Sequence, residues 1–514
     1  MKHTLKIIYM TVALCTTMLP VQSKDYKVTE FGAKPDGTTL NTKALQSLID
    51  KVSSKGGGRI VFPEGKYLTG GLHLKSKVEL HLQKNAVILG STDPFQYFEL
   101  QTTGTQNQER KDNSSLALIV ADKAERISIT GEGAIDGQGL ALALNADSLH
   151  HAGIYVDKNY NNRRKRPSEL VRPKLLYFDS CHGVCIESVE MRNSSNWGLS
   201  FDLCSDMVLK NLRIFNRAYW NNDGIDVTDC RNVRITGCNI NSADDGICLK
   251  SYHADSFNDS IYISNCEIRS SASAVKFGTA SFGGFKNVRI DSIRVFDTFR
   301  SAIAIESVDG GQIDNIRVSN IVARNTGNAI FIRLGQRAGN RPGSIRNVFI
   351  SNVDVEIPFG RPDINYDLRG PEVDFFHNSF PSSICGIPGN KVENVHLENI
   401  KISCPGRATR GMGYVALSRL GQVPEQIKEY PEFSMFGELP SWGFYVRHVK
   451  GLTMKNLSLY INEDDFRPAF VFDDASGISL SDCSLPAMKT IGQFVLKDCT
   501  DYQLQPSGKI SEVH

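Results

Sequence analysis

Three aspartates, Asp223, Asp244 and Asp245, lie in two short segments of the chain in which an acid precedes glycine. Carboxylates that share a site raise the pKa of at least one member, and a carboxyl that stays protonated near neutral pH can act as a general acid. Aspartate beside glycine also caps turns. Two such segments with one additional acid favour acid–base catalysis over turn capping.

The stretch between these acids predicts how they are positioned. Residues 232–240 alternate apolar and polar side chains, which indicates a strand. Asp223 and Asp245 are 22 residues apart, about one coil of a parallel β-solenoid. Residues one coil apart stack at the strand spacing of roughly 4.8 Å. The three carboxylates are therefore expected to converge on one exposed patch.

A short repeat extends over most of the chain and predicts an all-β fold. An apolar-x-apolar pair recurs at intervals of fewer than 30 residues between Val184 and Ile316, often after an asparagine, and the later intervals lengthen to 47 and 57 residues. Short strands at this period without amphipathic helices between them indicate a single parallel β-helix, with long loops inserted late in the chain. A β-sandwich would not repeat so regularly. Val233, Ile235, Ile261 and Ile263 should lie inside the coil.

The predicted organisation has four parts. Residues 1–23 resemble a signal peptide with lysines before an apolar stretch, so a secreted or periplasmic protein is expected; a lipid anchor through Cys15 is a minor alternative. Residues 24–97 form an N-terminal cap, with a helix over 42–53, and the first coils. Residues 98–500 form the β-helix domain, and 501–514 a C-terminal tail. No later segment is apolar enough to span a membrane.

Charge excludes some classes of partner. The formal net charge is +2, and removal of Lys2 and Lys6 with the signal peptide brings it to 0. This argues against nucleic-acid binding. Residues 163–166, with Arg172 and Lys174 close behind, form a basic cluster that either meets an acidic ligand or is a solvated loop. A monomer is expected.

The cysteines predict neither a metal site nor a disulfide framework. Eleven remain beyond residue 23, with no Cys-x-x-Cys pair. Cys181, Cys204 and Cys230 each precede an alternating run, which indicates free thiols buried at one corner of the coil. No cofactor is expected.

Two late insertions are rich in aromatic residues. Residues 359–390 and 405–447 carry them beside proline and glycine. Long loops on one face of a solenoid usually build its binding groove, although packing against the solenoid wall also explains most of the individual aromatics.

Several segments, taken in order, resemble glycoside hydrolase family 28, the polygalacturonase family of right-handed parallel β-helices. They are Phe31–Gly37, Gly131–Gly139, Asn193–Gly198, Asn221–Asp226 and Ala243–Ser251. The resemblance implies an inverting hydrolase that cleaves a pectic polysaccharide or oligosaccharide. It assigns Asp244 as the general acid and Asp223 with Asp245 as the activators of water. Asp226 is interpreted as structural.

The chain departs from the family pattern where substrate is bound. Ala272–Ala274 stand where the family has Gly-His-Gly, and Ala304–Glu306 where it has Arg-Ile-Lys. The residues offered instead are Asn221, Lys276, Glu306 and Arg333, which we predict to bind substrate. Because Glu306 would repel a carboxylate, weak activity on unsubstituted homogalacturonan is expected, with a substituted galacturonide or a rhamnogalacturonan preferred.

Two other functions stay open from the sequence. A polysaccharide lyase on the same fold would use the aspartates to hold calcium and Lys276 as a base. A non-catalytic carbohydrate-binding solenoid would need neither a calcium ion nor a catalytic base.

Overall fold

The computed structural model describes residues 24–99, 108–111, 113–363, 377–409, 417–487, 493–505 and 510–513. The segment interpreted as a signal peptide, residues 1–23, lies outside this part of the chain. None of the helices in the described ranges has both the length and the apolar character needed to cross a membrane.

Nearly all regular structure in the described residues is β-strand. There are two α-helices, α1 (Thr42–Ser54) and α2 (Gly139–His151), and three 3-10 turns, Val28–Phe31, Pro94–Gln96 and Leu417–Gln422. The strands, in chain order, are β1 Asp25–Lys27, β2 Gly58–Phe62, β3 Gly65–Thr69, β4 Leu72–His73, β5 Val78–Leu82, β6 Ala86–Gly90, β7 Ala117–Asp122, β8 Glu125–Gly131, β9 Ala134–Asp136, β10 Lys174–Asp179, β11 His182–Glu187, β12 Glu190–Arg192, β13 Leu199–Asp202, β14 Ser205–Lys210, β15 Arg213–Asn216, β16 Ile225–Thr228, β17 Arg231–Thr236, β18 Asn239–Ser242, β19 Ile247–Ser251, β20 Asn258–Ser270, β21 Val275–Ser281, β22 Gly284–Ser307, β23 Gln312–Leu334, β24 Ser344–Glu356, β25 Ser382–Cys385, β26 Val392–Cys404, β27 Phe444–Ile461, β28 Phe470–Ser484, β29 Phe494–Lys497, β30 Thr500–Leu504 and β31 Ile510–Val513.

The strands wind into a right-handed parallel β-helix, as predicted. Each strand pairs in parallel with the equivalent strand of the next coil, which builds three long sheets. The sheet that matters for function, called sheet 3, runs through β4, β7, β10, β13, β16, β19, β21, the ends of β22 and β23, β25, the starts of β27 and β28, β29 and β31.

The core is a continuous apolar column inside the coil. Val233 and Ile235 of β17 stand in register with Ile261 and Ile263 of β20, and all four are buried, which confirms the prediction from alternation. The intervening side chains of β17 are exposed or half-buried. The period-2 pattern of the sequence therefore sets which side of each strand faces inward.

Asparagines mark one corner of successive coils because the backbone there is left-handed. Asn287, Asn315 and Asn347 all have φ between 54° and 57°. Asparagine tolerates this conformation better than other residues with a Cβ. The Asn315 amide also donates to Asn287 Oδ1 at 2.8 Å, so one coil is tied to the next.

The structure differs from the predicted boundaries in three places. Helix α1 ends at Ser54, one residue beyond the prediction. Residues 139–151, for which no helix was predicted, form α2, because the run Leu-Ala-Leu-Ala-Leu is made of strong helix formers. Strands β30 and β31 pair with β28 and β29, so most of the predicted tail continues the coil.

All eleven cysteines in the described residues are free, and nine of them are buried. Cys181 and Cys204 stack, with the Cys181 amide donating to Cys204 Sγ at 3.4 Å. These thiols fill a corner of the coil.

Candidate active site

The two Asp-Gly turns lie one above the other at the start of adjacent strands in sheet 3. Ile225 of β16 is in register with Ile247 of β19, which sets Asp223 directly over Asp245. One carboxylate oxygen of Asp223 and one of Asp245 lie within 4.8 Å of each other. The 22-residue spacing thus corresponds to one coil.

Glycine is required after each acid because the coils approach closely there. A Cβ at Gly224 would lie 2.5 Å from the Gly246 carbonyl oxygen, and one at Gly246 would lie 2.6 Å from the Ala274 oxygen. Both distances are far inside van der Waals contact. Packing therefore requires the glycine of each Asp-Gly pair. The close approach of the coils at these glycines also fixes the positions of the acids.

Buried asparagines hold the turn that carries Asp223. Asn222 donates to the carbonyls of Ser194 and Asn196 at 3.0 and 2.7 Å and accepts from the Tyr219 amide at 2.6 Å. Asn216 donates to the Asp223 carbonyl at 2.8 Å. Since both asparagines are buried, the backbone under Asp223 is held by a fully enclosed network.

Two serines hold the backbone of Asp244 in place. The hydroxyls of Ser242 and Ser270 donate to its carbonyl at 2.8 and 2.6 Å. Its carboxylate Oδ1 accepts from the Asp245 amide at 3.1 Å. Asp244 is half-buried, whereas Asp223 and Asp245 are buried, so Asp244 is the most accessible acid of the three.

Asp245 is the carboxylate that its surroundings keep ionised. Burial opposes its charge, but Lys276 and Lys250 outweigh burial, and the pKa of Asp245 is lowered. Lys276 Nζ lies 3.2 Å from Asp245 Oδ2, and the Ser273 amide donates to Oδ1 at 3.1 Å.

Asp223 shares a buried cation with Asp226. Lys250 Nζ lies 3.5 Å from Asp223 Oδ2 and 3.2 Å from Asp226 Oδ1. Burial, together with the charge of Asp226, raises the pKa of Asp223 well above its usual range, and Lys250 opposes this rise. Burial also raises the pKa of Asp226. One ammonium for two buried carboxyls favours a state in which the pair holds a proton.

The surroundings of Asp244 favour its protonated form, whereas those of Asp245 favour the ionised form. Burial and then the charge of Asp245 raise the pKa of Asp244 to about 6, although Arg300 and Lys276 pull it down. A carboxyl with this pKa is protonated in mildly acidic solution and can donate its proton to a leaving group. Adjacent residues in the chain thus have pKa values shifted in opposite directions.

The three acids line a cavity of about 300 Å³ that is rich in charge. Its cations are Arg110, Lys250, Lys276 and Arg337, and its aromatic walls are Trp197, Tyr252 and Tyr430. Asn221 also lines it, and its Oδ1 accepts from Arg172 at 2.8 Å. Acid–base groups and cations therefore face one another across a small space.

Two of the four predicted substrate-binding residues are in the cavity wall, and two are elsewhere. Asn221 and Lys276 line the cavity. Glu306 is buried, with Thr279 Oγ1 donating to it at 3.5 Å, and burial raises its pKa to about 7. Glu306 does not line the cavity, and its predicted contact with substrate, with the repulsion expected from it, stays a prediction.

Arg333 anchors a loop. Its guanidinium donates to the carbonyls of Gly386, Glu425 and Gln426 at 2.9, 2.6 and 3.0 Å, and it is 1% exposed. The loop that follows Leu417–Gln422 covers Arg333. These contacts give Arg333 a structural role, and its predicted contact with substrate stays a prediction.

The basic cluster after residue 162 is partly enclosed. Arg166 and Arg172 are buried, and Arg164 and Arg166 stack over Trp220 at 5.4 and 4.5 Å. Arg172 Nη1 donates to the Trp220 carbonyl at 2.8 Å. These cations support the turn that leads to Asp223. Neither of the two interpretations given for the cluster, an acidic-ligand site or a solvated loop, included this structural role.

Sequence reasoning missed Lys250, Arg300 and the contact that joins Lys276 to Tyr430. Lys250 lies in the second Asp-Gly segment and could have been found by alternation along β19. Arg300 pairs with Glu432 at 2.6 Å, and Lys276 Nζ donates to Tyr430 OH at 3.1 Å. No local pattern links residues that far apart in the chain.

The aromatic insertions divide between the cavity and the solenoid wall. Tyr430 lines the cavity, whereas Phe433, Phe436 and Tyr445 pack in a buried apolar cluster. In the other aromatic-rich insertion, 359–390, residues 364–376 lie outside the described residues.

The acids are poorly suited to a calcium ion. Asp223, Asp245 and Cys248 are close enough to share a metal ion, but calcium takes six to eight oxygen ligands. Here a thiol is the third donor, and Lys250 and Lys276 already contact the carboxylates.

The fold and the acid cluster together define a class: parallel β-helix proteins with a carboxylate-lined cavity on one sheet. The sequence profile of glycosyl hydrolases family 28 matches residues 59–357, and the chain belongs to that family.

Similar proteins were found by sequence and by structure. A probable polygalacturonase of Vitis vinifera is 25% identical over 67% of this chain and 63% of its own length. An exo-poly-alpha-D-galacturonosidase of Dickeya chrysanthemi is 29% identical over 46% of this chain and 43% of its own. The chain thus spans less than two thirds of the length of these two relatives. The exopolygalacturonase structure from Thermotoga maritima has a TM-score of 0.62 and 20% identity, and it covers 85% of this chain and 92% of its own, which shows the shared fold.

Proposed function

We propose that the protein is an inverting glycoside hydrolase that acts on a pectic, galacturonide-containing oligosaccharide or polysaccharide. The observation that carries the proposal is the opposite electrostatic setting of adjacent acids: the pKa of Asp244 is raised to about 6 and that of Asp245 is lowered. A general acid and a general base need this separation. Membership of family 28 supports the same reaction.

In the proposed reaction Asp244 protonates the oxygen of the leaving sugar. It is the accessible acid, and its backbone is fixed by Ser242 and Ser270. As the glycosidic bond breaks, the proton on the Asp244 carboxyl moves to that oxygen, and positive charge develops on the anomeric carbon. The ionised carboxylate of Asp245 can stabilise this charge.

Asp245 takes a proton from the attacking water, and Asp223 orients that water. Oxygens of Asp223 and Asp245 lie within 4.8 Å of each other, so one water can contact both. Lys276 keeps Asp245 ionised before the reaction. Attack on the face opposite to the leaving group gives inversion, and the proton passes from water to Asp245.

The cations of the cavity indicate a substrate with carboxylates. Lys276 and Arg337 line the cavity together with Tyr430. They supply positive charge that the family's Arg-Ile-Lys would otherwise provide. The missing pair and the expected repulsion by Glu306 are the arguments for weak activity on unsubstituted homogalacturonan.

The cavity size supports action on short chains or chain ends. Its volume of about 300 Å³ is at the lower end of ligand pockets, which span roughly 300–1,000 Å³. Tyr430 closes one side through its hydrogen bond to Lys276. A long open groove would be needed to bind the middle of a polymer.

The test is a panel of homogalacturonan and rhamnogalacturonan oligosaccharides and polymers, with product analysis by size and by proton NMR of the new anomeric centre. Inverted product released from short galacturonides is expected, and Asp244→Asn should slow its release by about 10² to 10⁴. An unsaturated product would instead establish a lyase. Binding without turnover by the native chain would establish a carbohydrate-binding solenoid.

We also propose that residues 1–23 direct export and are removed, and that the mature protein is a monomer. Terminal sequencing of the exported protein should find Lys24 first, and sedimentation should give the mass of one chain.

A further inference from the structure

A second cluster of polar side chains is buried beside the candidate active site. Asp202 ends β13, Asp229 follows β16, and His253 follows β19, so three successive coils contribute one residue each. The three side chains are 2%, 3% and 3% exposed. None of them takes part in the proposed reaction.

Their ligand atoms already converge. One oxygen of each aspartate and one ring nitrogen of His253 all lie within 4.8 Å of one another. His253 Nε2 lies 3.1 Å from Asp202 Oδ1. A cation placed among them would reach all three with small inward movements of the side chains, since zinc–oxygen and zinc–nitrogen bonds are roughly 2.0–2.2 Å long.

One carboxylate oxygen of the cluster has its hydrogen-bonding capacity unused. Asp229 Oδ2 accepts from the amides of Tyr252 and His253 at 2.8 and 3.0 Å. Asp229 Oδ1 is buried and has no hydrogen-bond partner among the described residues. A buried acceptor of this kind is costly unless a ligand satisfies it.

The chemistry of the three side chains also suits a divalent cation. Two carboxylates and an imidazole are side chains that bind divalent metal ions in proteins.

We propose that Asp202, Asp229 and His253 form a zinc-binding site. Two carboxylates and an imidazole, with one position left for water, are a ligand set that zinc accepts, whereas calcium and magnesium prefer oxygen ligands alone. The Gln108 amide, which donates to Asp202 Oδ2 at 2.8 Å, orients that carboxylate from outside the ligand set.

The zinc would stabilise one wall of the cavity. Tyr252 is adjacent to His253, its amide bonds Asp229, and its ring packs with Trp197 in a buried apolar cluster. Both aromatic residues line the cavity. The ion thus has a structural role and takes no part in the proposed hydrolysis.

Calorimetric titration of the chelator-treated full chain with zinc chloride tests the site. One zinc ion per chain is expected, together with a higher midpoint of thermal unfolding. Asp229→Asn and His253→Gln should each weaken binding by more than the roughly 10- to 100-fold that loss of an outer-shell contact costs. Asp206→Asn is the matched control, because Asp206 forms a surface pair with His182 at 3.0 Å.

Cobalt bound to the native chain in place of zinc reports the ligand types, and this measurement does not require any variant to fold. Cobalt bound by carboxylates and imidazole should absorb in the visible range without the intense near-ultraviolet band of a thiolate complex. The proposal is overturned if the native chain binds no zinc, if both variants bind it as the native chain does, or if the cobalt spectrum shows thiolate ligands.

Discussion

Lys276 Nζ lies 3.2 Å from Asp245 Oδ2 and donates to Tyr430 OH at 3.1 Å, so one buried ammonium joins the ionised acid to the aromatic wall of the cavity. The two contacts come from parts of the chain that are far apart in sequence. One belongs to the coil that carries the acids, and the other to a loop 154 residues further along. Lys276 is therefore the residue through which the loop and the acids influence each other.

Asp244→Asn should lower kcat by about 10² to 10⁴ with little change in stability. The amide cannot protonate a leaving group, and loss of a general acid costs this much in rate. The measurement is product release from a galacturonide oligosaccharide, together with a thermal unfolding curve. Asp482→Asn, at an exposed corner, is the control. Native rates in Asp244→Asn would remove this residue from the reaction.

The pH profile of kcat/KM should fall on its alkaline side near pH 6. Asp244 must be protonated to act, and its pKa is raised to about 6, so activity is lost as pH rises through that value. On the acid side activity is lost when Asp245 becomes protonated, below its lowered pKa. A profile that rises through pH 6 to a plateau at pH 8 would contradict the assignment.

Lys276→Met should move both limbs of that profile to higher pH. The ammonium lowers the pKa of Asp245 and of Asp244, so both pKa values rise when it is removed. The profile of the variant is compared with that of Lys455→Met, which alters an exposed lysine. An unchanged acid limb in Lys276→Met would show that this contact does not control Asp245.

Arg333→Met should destabilise the loop near residue 425 rather than remove a substrate contact. Three carbonyls lose a charged donor, and each hydrogen bond to a charged group contributes roughly 1.5–3 kcal/mol. We expect faster proteolysis within residues 417–443 and a lower unfolding midpoint. A higher KM with unchanged proteolysis and stability would instead support direct binding of substrate by Arg333.

Asn352→Ala should lower the free energy of unfolding by about 1–2 kcal/mol. Asn352 has φ of 55°, which an alanine adopts only with strain, and its amide donates to Asn320 Oδ1 at 3.0 Å. Asn352→Gly keeps the left-handed backbone and should cost less. Chemical denaturation of the three proteins measures the difference, and equal loss in both variants would assign the whole effect to the hydrogen bond.

Local patterns predicted the coil and the convergence of the acids. Alternation along β17 and β20 fixed which side chains face inward, and a 22-residue spacing was enough to stack Asp223 over Asp245. Both predictions depend on neighbouring coils, whose geometry repeats. That is why they could be made from the sequence.

The surroundings of the outward-facing residues could not be predicted in the same way. Comparison with the family pattern assigned Glu306 and Arg333 to substrate binding, and the two residues are in register with each other on sheet 3. Whether such a residue meets water or protein depends on loops inserted many coils later. The loop after Leu417–Gln422 covers Arg333, and its Glu432 pairs with Arg300. Neither contact has a signature in the local sequence.

The position of Tyr430 has a consequence for the order in which the molecule is built. Chains emerge from the ribosome at about 5–20 residues per second, and a solenoid can form coil by coil as they do. The 154 residues between Lys276 and Tyr430 then correspond to roughly 8 to 30 s of synthesis. The acid cluster is complete before Tyr430 and its loop are synthesised. During that interval the nascent chain presents its acids on an open surface, and the last long loop converts this surface into a pocket.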